Sequence, residues 1–180
     1  MLLLCPDEPG FWPRMMAQPE MRDRAADPVD RWSVRVVTAL AEALAGRPLF
    51  PFGGPPYLPF ITWATRTGRA WASPVGMLVH DREGLMISIR GAIALPTQVD
   101  LPATGARPCD SCDQPCRAAC PVDALGAGGY DVTACHGFLD TVPGQDCMGQ
   151  GCAARRACPV SAASGRLSAQ SAYHMRQFHK

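Results

Sequence analysis

Eight cysteines crowd into fifty residues of this chain, at Cys109, Cys112, Cys116, Cys120, Cys135, Cys147, Cys152 and Cys158, and only Cys5 lies elsewhere. A stretch so rich in thiols and so poor in large apolar side chains cannot rest on an ordinary core. It has to be held by disulfides or by metal. The first residues, Met1-Leu2-Leu3-Leu4-Cys5-Pro6, lack the basic region and apolar length of an export signal, so metal is the default. No apolar run approaches the ~20 residues of a membrane-spanning helix. A soluble, cytoplasmic protein with no membrane partner is expected.

Charge narrows the partners further. Seventeen basic residues face sixteen acidic ones in the 180-residue chain, a net +1 that gives no footprint for gripping nucleic acid. The only lysine is Lys180, which effectively excludes a Walker lysine, a Schiff-base lysine or a buried lysine base. With 17 glycines and 18 prolines spread along the chain, loops should be plentiful.

The first cysteine run is Cys109-x2-Cys112-x3-Cys116-x3-Cys120-Pro121. The second is Cys135, then Cys147-x4-Cys152-x5-Cys158-Pro159. Each ends in Cys-Pro, and a proline there cannot continue a preceding helix but can open the next one. A cubane [4Fe-4S] cluster needs four thiolates from different directions, three from a closely spaced run and one from a remote position. Two four-cysteine zinc sites and redox-active disulfides are the alternatives, although zinc favours paired C-x2-C knuckles and one such pair occurs here.

Residues 105–162 resemble dicluster ferredoxins, whose run is C-x2-C-x2-C-x3-C-P with the fourth cysteine crossing to the other cluster. The resemblance implies Cys109, Cys112, Cys116 and Cys158 for one cluster and Cys120, Cys135, Cys147 and Cys152 for the other. The departures are one extra residue before Cys116, wider gaps in the second run, and the isolation of Cys135. An isolated fourth cysteine before a second Cys-Pro run is similar to the arrangement in epoxyqueuosine reductases.

Ahead of the cysteines the chain reads as an α+β layer. Asp27-Pro28 opens a segment with apolar residues at Val29, Trp32, Val36, Val37, Leu40 and Leu44, closed by Gly46, which predicts a helix. Arg47 to Pro59 reads as irregular loop, Phe60 to Thr67 as a short helix, and Leu2 to Cys5 as a strand. Val75–His80 and Leu85–Leu95, separated by Asp81-Arg82-Glu83-Gly84, predict a β-hairpin. A connector is expected from Leu95 to Pro108. Beyond it, short helices are expected after Cys116, at Pro121 to Leu125 and over Gly151 to Ala157, with a last one from Arg166 to Phe178. The modules are then 1–100, 101–165 and a helical tail, 166–180.

Three stretches in order resemble the human-type cobalamin-processing family. They are Leu2-Leu3-Leu4 leading to Phe11-Trp12, then Asp27-Pro28-Val29-Asp30, and Gly76-Met77-Leu78-Val79-His80 followed by Gly84 and Ile89-Arg90-Gly91-Ala92-Ile93-Ala94-Leu95-Pro96. The resemblance implies a small flavin-reductase-like (nitroreductase-like) cobalamin-binding module before the loop-rich dicluster module. It also implies cofactor-binding roles for Gly76, at the corrinoid pocket, and for Arg90, on a glutathione cosubstrate. Chemically, an arginine there can also clamp a propionamide oxygen or a carboxylate. The chain departs from that family in its short start, its shorter middle and its cysteine module.

The expectation is therefore an iron-sulfur protein that takes electrons from a redox partner and passes them singly through two [4Fe-4S] clusters to a bound cobalamin, an oxidoreductase if it acts on that corrinoid. The alternative is a plain dicluster electron carrier whose first module docks a partner enzyme. Cys5 reads as a small buried hydrophobe, and His80 as a turn histidine or an axial ligand. His136 is a tuner of the neighbouring cluster or a surface residue. Tyr57, Phe60, Trp63 and Trp71 wall a flat cofactor or form core. His174 and His179 read as tail residues.

Overall fold

The computed structural model describes residues 1–101, 103–126 and 128–180, so Pro102 of the expected connector lies outside the described residues. In chain order the first elements are β1 (Leu2–Leu4), α1 (Phe11–Met16), α2 (Pro19–Arg22), α3 (Pro28–Ala43), β2 (Arg47–Leu49) and α4 (Phe60–Arg66). Then come β3 (Ala70–Ala72), β4 (Leu78–His80) and β5 (Gly91–Ala94). The cysteine-rich part holds two 3-10 turns, Pro108–Ser111 and Pro115–Arg117, a two-residue pair β6 (Leu125–Gly126) and β7 (Gly129–Tyr130), and five helices. These are α5 (Val132–Leu139), α6 (Gln145–Gln150), α7 (Ala153–Ala157), α8 (Pro159–Ala163) and α9 (Ser168–Phe178). The protein is thus mixed α and β, and no helix of the described residues is long and apolar enough to cross a membrane.

The chain forms two compact units that interleave in sequence. Unit one is Met1–Arg66 with Ser88–Thr104, and unit two is Thr67–Ile87 with Gly105–Lys180. Residues 67–87, expected in the first module, therefore belong with the cysteines.

In unit one, α3 forms where its pattern places it, with Pro28 in its first turn, where the missing N–H costs nothing. Asp27 caps it with its backbone carbonyl, which accepts from Asp30 and Arg31, and its side chain takes no part. β5 is the central strand of an antiparallel sheet ordered β1-β5-β2, with Leu2 opposite Ile93 and Arg47 opposite Ala94. Val37 and Ala41 of α3 pack on Ile93 of the sheet, with Leu4, Phe50 and Leu95 around them. Arg35 of α3 grips Glu20 of α2 through two bonds of 2.6 and 3.1 Å. The Arg35 guanidinium holds the Glu20 carboxyl below its usual range.

The expected hairpin between Val75–His80 and Leu85–Leu95 does not form. β4 turns back on β3, pairing Ala70 with His80 and Ala72 with Leu78, while β5 pairs with β1 and β2. After His80 the chain makes one isolated bridge to Gly84 and leaves the pair. An apolar, β-branched run announces a strand without naming its partner. Arg47–Leu49, expected as loop, is a strand because Pro48 lies on an edge strand that needs no second ladder.

In unit two, the core is built from Val75, Val79 and Leu85 of the β3-β4 segment together with Leu125, Ala154, Cys116 and Cys158. Residues 121–125 form a turn that runs into β6 instead of a helix, and the turn at Cys116 ends at Arg117. The expected helix over 151–157 is α7, and that over 166–178 is α9, which packs on α6.

Candidate metal centres

The eight clustered cysteines divide into two quartets, each around its own cavity within unit two. Cys109, Cys112, Cys116 and Cys158 line one of about 450 Å³. Cys120, Cys135, Cys147 and Cys152 line the other, of about 380 Å³. Each quartet takes three cysteines from one run and one from the other.

Local structure explains the crossing. Cys152 caps the N-terminus of α7 and Cys158 ends it, so one short helix sends its two flanking thiols to different cavities. Cys158 also precedes α8, whose first residue is Pro159, as the Cys-Pro spacing requires. On the other strand of the crossing, Cys116 sits in a 3-10 turn that stops at Arg117, and the chain then carries Cys120 to the second cavity. Cys135 is on α5, whose N-cap Asp131 accepts from the Ala134 N–H at 2.8 Å, and Cys147 is on α6.

Hydrogen-bond donors already point at sulfurs of both quartets. The Gln114 N–H donates to Cys112 Sγ and the Ala124 N–H to Cys120 Sγ, both at 3.3 Å. The Ala153 N–H donates to Cys147 and the Tyr130 hydroxyl to Cys135. Such donors favour a sulfur that carries negative charge. Burial nevertheless pushes the thiols of Cys109, Cys116, Cys135 and Cys147 up. A cationic group must therefore displace the protons for these sulfurs to ligate as thiolates. All nine cysteines are free thiols, and among the described residues no group of three or more His, Cys, Asp or Glu is arranged to hold a metal ion.

The β3-β4 segment reaches both cavities. Val75, Gly76, Met77 and Met86 line the second, and Ser73, Val79 and Leu85 line the first. It is latched to α8, since the Leu85 N–H donates to the buried Ser161 hydroxyl at 2.8 Å. Gly84 lies so close that a Cβ there would be 2.4 Å from the Ser161 nitrogen, at a φ of +55°.

The other residues singled out in the sequence fall as follows. Gly76 lines the second cysteine cavity in a turn where its φ is +74°, and open space surrounds the position of a Cβ. Arg90 lies in unit one and is engaged there. Its guanidinium pairs with Asp30, donates to Ser33 Oγ at 3.1 Å, and stacks 5.5 Å from the Phe52 ring centre. Gly76 and Arg90 thus belong to different units.

His80 is a turn histidine. Its Nδ1 accepts from the Arg82 and Glu83 N–H groups, and burial pushes its pKa down. His136 and His179 share a 2.7 Å contact between their Nδ1 atoms, and His179 Nε2 meets Asp140 at 2.9 Å. His174 packs edge-on to Tyr173. Phe60 and Trp63 pack ring against ring at a tilt, Trp71 packs against the cysteine-bearing core, and Tyr57 is exposed. Cys5 is exposed instead of buried.

No sequence signal marks Tyr130 or Ser73 as lining a cysteine cavity. Tyr130 stands five positions before Cys135 with no motif to mark it, and Ser73 is brought in from far ahead of the first cysteine run. No protein-family model, curated protein or solved structure matches this chain.

Proposed function

We propose that the protein is a dicluster iron-sulfur electron carrier. One [4Fe-4S] cluster would sit on Cys109, Cys112, Cys116 and Cys158, and a second on Cys120, Cys135, Cys147 and Cys152. The observation that carries this reading is the division of eight cysteines into two cavities, four to each with none left over. The chemistry such clusters supply is one-electron transfer at potentials set by charge, hydrogen bonds to sulfur and solvent exposure.

Four thiolates on one zinc at 2.3 Å would stand about 3.8 Å apart. Four cysteines that line one cavity suit a group that offers a separate iron to each thiolate. The chain's own residues bind and tune. The β3-β4 segment and the core around Ala154 pack against the cysteines, and the N–H groups of Gln114, Ala124 and Ala153 with the Tyr130 hydroxyl support negative charge on sulfur.

Unit one, with three strands under α3, is assigned the part that the flavin-reductase-like resemblance implies, which is holding the acceptor. That acceptor is a corrinoid or a docked partner enzyme. Anaerobic reconstitution should give about eight iron and about eight acid-labile sulfide per chain. Stoichiometric zinc without sulfide would overturn the proposal. Cobalamin added to the reduced protein then separates the acceptors. Faster cobalt reduction by wild type than by Cys112→Ser assigns the corrinoid, and equal rates leave the plain carrier.

A further inference from the structure

Ser73 directly follows β3, is 8% exposed, and lines the cavity of Cys109, Cys112, Cys116 and Cys158. Its backbone is fully engaged, with its N–H donating to Met77 at 2.8 Å and its carbonyl accepting from Gly76 at 3.1 Å. Its hydroxyl has no hydrogen-bond partner among the described residues. A buried hydroxyl without a partner is a cost to folding, and native structures rarely tolerate one. The cost disappears if the cavity holds an acceptor.

The atoms that share the cavity set the chemistry of that acceptor. Neutral thiols accept weakly, whereas thiolates and sulfides of an iron-sulfur group accept strongly because they carry negative charge. We infer that the Ser73 hydroxyl donates a hydrogen bond to a sulfur of the iron-sulfur group held by Cys109, Cys112, Cys116 and Cys158, and so raises the potential of that cluster. The inference rests on the two-cluster reading above. Ser73 acts as a tuning residue and ligates nothing.

The sign follows from charge. The reduced group is one unit more negative and gains more from the donor than the oxidised one does. The hydroxyl is also held in place, since the Leu85 N–H to Ser161 bond and the close approach of Gly84 to Ser161 fix the β3-β4 segment on α8. The inserted segment thereby tunes a centre whose ligands all come from later in the chain.

The experiment compares wild type, Ser73→Ala and Ser73→Thr after anaerobic reconstitution, with iron and sulfide counted first. In a redox titration read by electron paramagnetic resonance, Ser73→Ala should lower the reduced-to-oxidised ratio of one cluster three- to tenfold at fixed potential, tenfold being 59 mV for one electron. The other cluster should be unmoved, and Ser73→Thr should restore the wild-type value. The reduced wild type should also show an exchangeable proton coupled to one cluster, lost in deuterated water and in Ser73→Ala. Unchanged potentials in Ser73→Ala with full iron overturn the inference and leave the cluster reading standing. If Ser73→Ala takes up no iron, Ser73→Gly is titrated in its place, and an unmoved potential there overturns the inference. Wild type without iron or sulfide overturns both.

Discussion

Single side chains in unit two act on the sulfurs they touch. Tyr130 is the clearest case, because burial and its bond to Cys135 push the phenol pKa well up, so it donates at any physiological pH. If the second quartet holds a cluster as proposed, Tyr130→Phe should leave iron content unchanged and lower that cluster's potential. With about 0.5–1.4 kcal/mol of differential stabilisation, taken as a fraction of a charged hydrogen bond, the shift is about 20–60 mV. A redox titration checks it, and an unmoved potential would show that the hydroxyl finds no sulfur in the loaded protein. Arg90 works at the same scale in unit one, joining β5 to Asp30 and Ser33 of α3. Arg90→Ala should cost about 1–3 kcal/mol in urea unfolding while the cluster spectrum stays as it is. Loss of corrinoid binding at full stability would instead make Arg90 a ligand-binding residue.

At the scale of elements, α7 is the hinge of the site, since Cys152 and Cys158 flank its five residues and serve different quartets. If both quartets hold clusters as proposed, Cys158→Ser should remove more than one cluster's iron, leaving fewer than about four per chain by iron assay. Retention of one full cluster would mean that the quartets fold independently. The β3-β4 segment is gauged by Gly84→Ala, which asks a Cβ to occupy space 2.4 Å from a backbone nitrogen at a positive φ. A cost above about 2 kcal/mol follows, read as an earlier thermal loss of cluster absorbance. In unit one, α2 is tied to α3 by Glu20 and Arg35, and the Glu20 carboxyl lies below its usual value of 4.5. A depressed carboxylate stabilises above its unfolded pKa and loses that contribution as pH falls through the folded one. Glu20→Gln should thus be less stable than wild type by about 1 kcal/mol at pH 7, with the gap closing below pH 4.5. Fluorescence-detected urea unfolding at both pH values checks this.

At the scale of the whole molecule, the two units differ in what holds them. Unit one has an apolar core in Val37, Ala41 and Ile93 with no cysteine in it. The core of unit two includes Cys116 and Cys158, with Cys109 and Cys152 packed against it. On the proposed two-cluster reading, stripping the metal should release amide-exchange protection across residues 105–163 and leave α3 and β5 protected, because metal binding is part of the folding free energy only where the ligands are core. Equal loss in both units would show that unit one depends on the metal as well.

The number of thiols, their spacing and the Cys-Pro ends were legible from the sequence, because ligand count and local turns are properties of neighbouring residues. α3 and α9 were legible for the same reason, their caps, prolines and 3.6-residue period lying within one segment. The grouping of the quartets came through a resemblance, and the two cavities of unit two carry the same grouping. Tertiary structure alone decided that β4 pairs with β3 and β5 with β1 and β2, since a strand's side-chain pattern fixes its buried face and leaves its partner open. It alone placed residues 67–87 with the cysteines, and so brought Ser73 and Gly76 to cavities whose thiols come from a later part of the chain. Contacts between residues far apart in sequence leave no periodicity or spacing to read, because they are fixed only when both segments bury apolar surface in the same core.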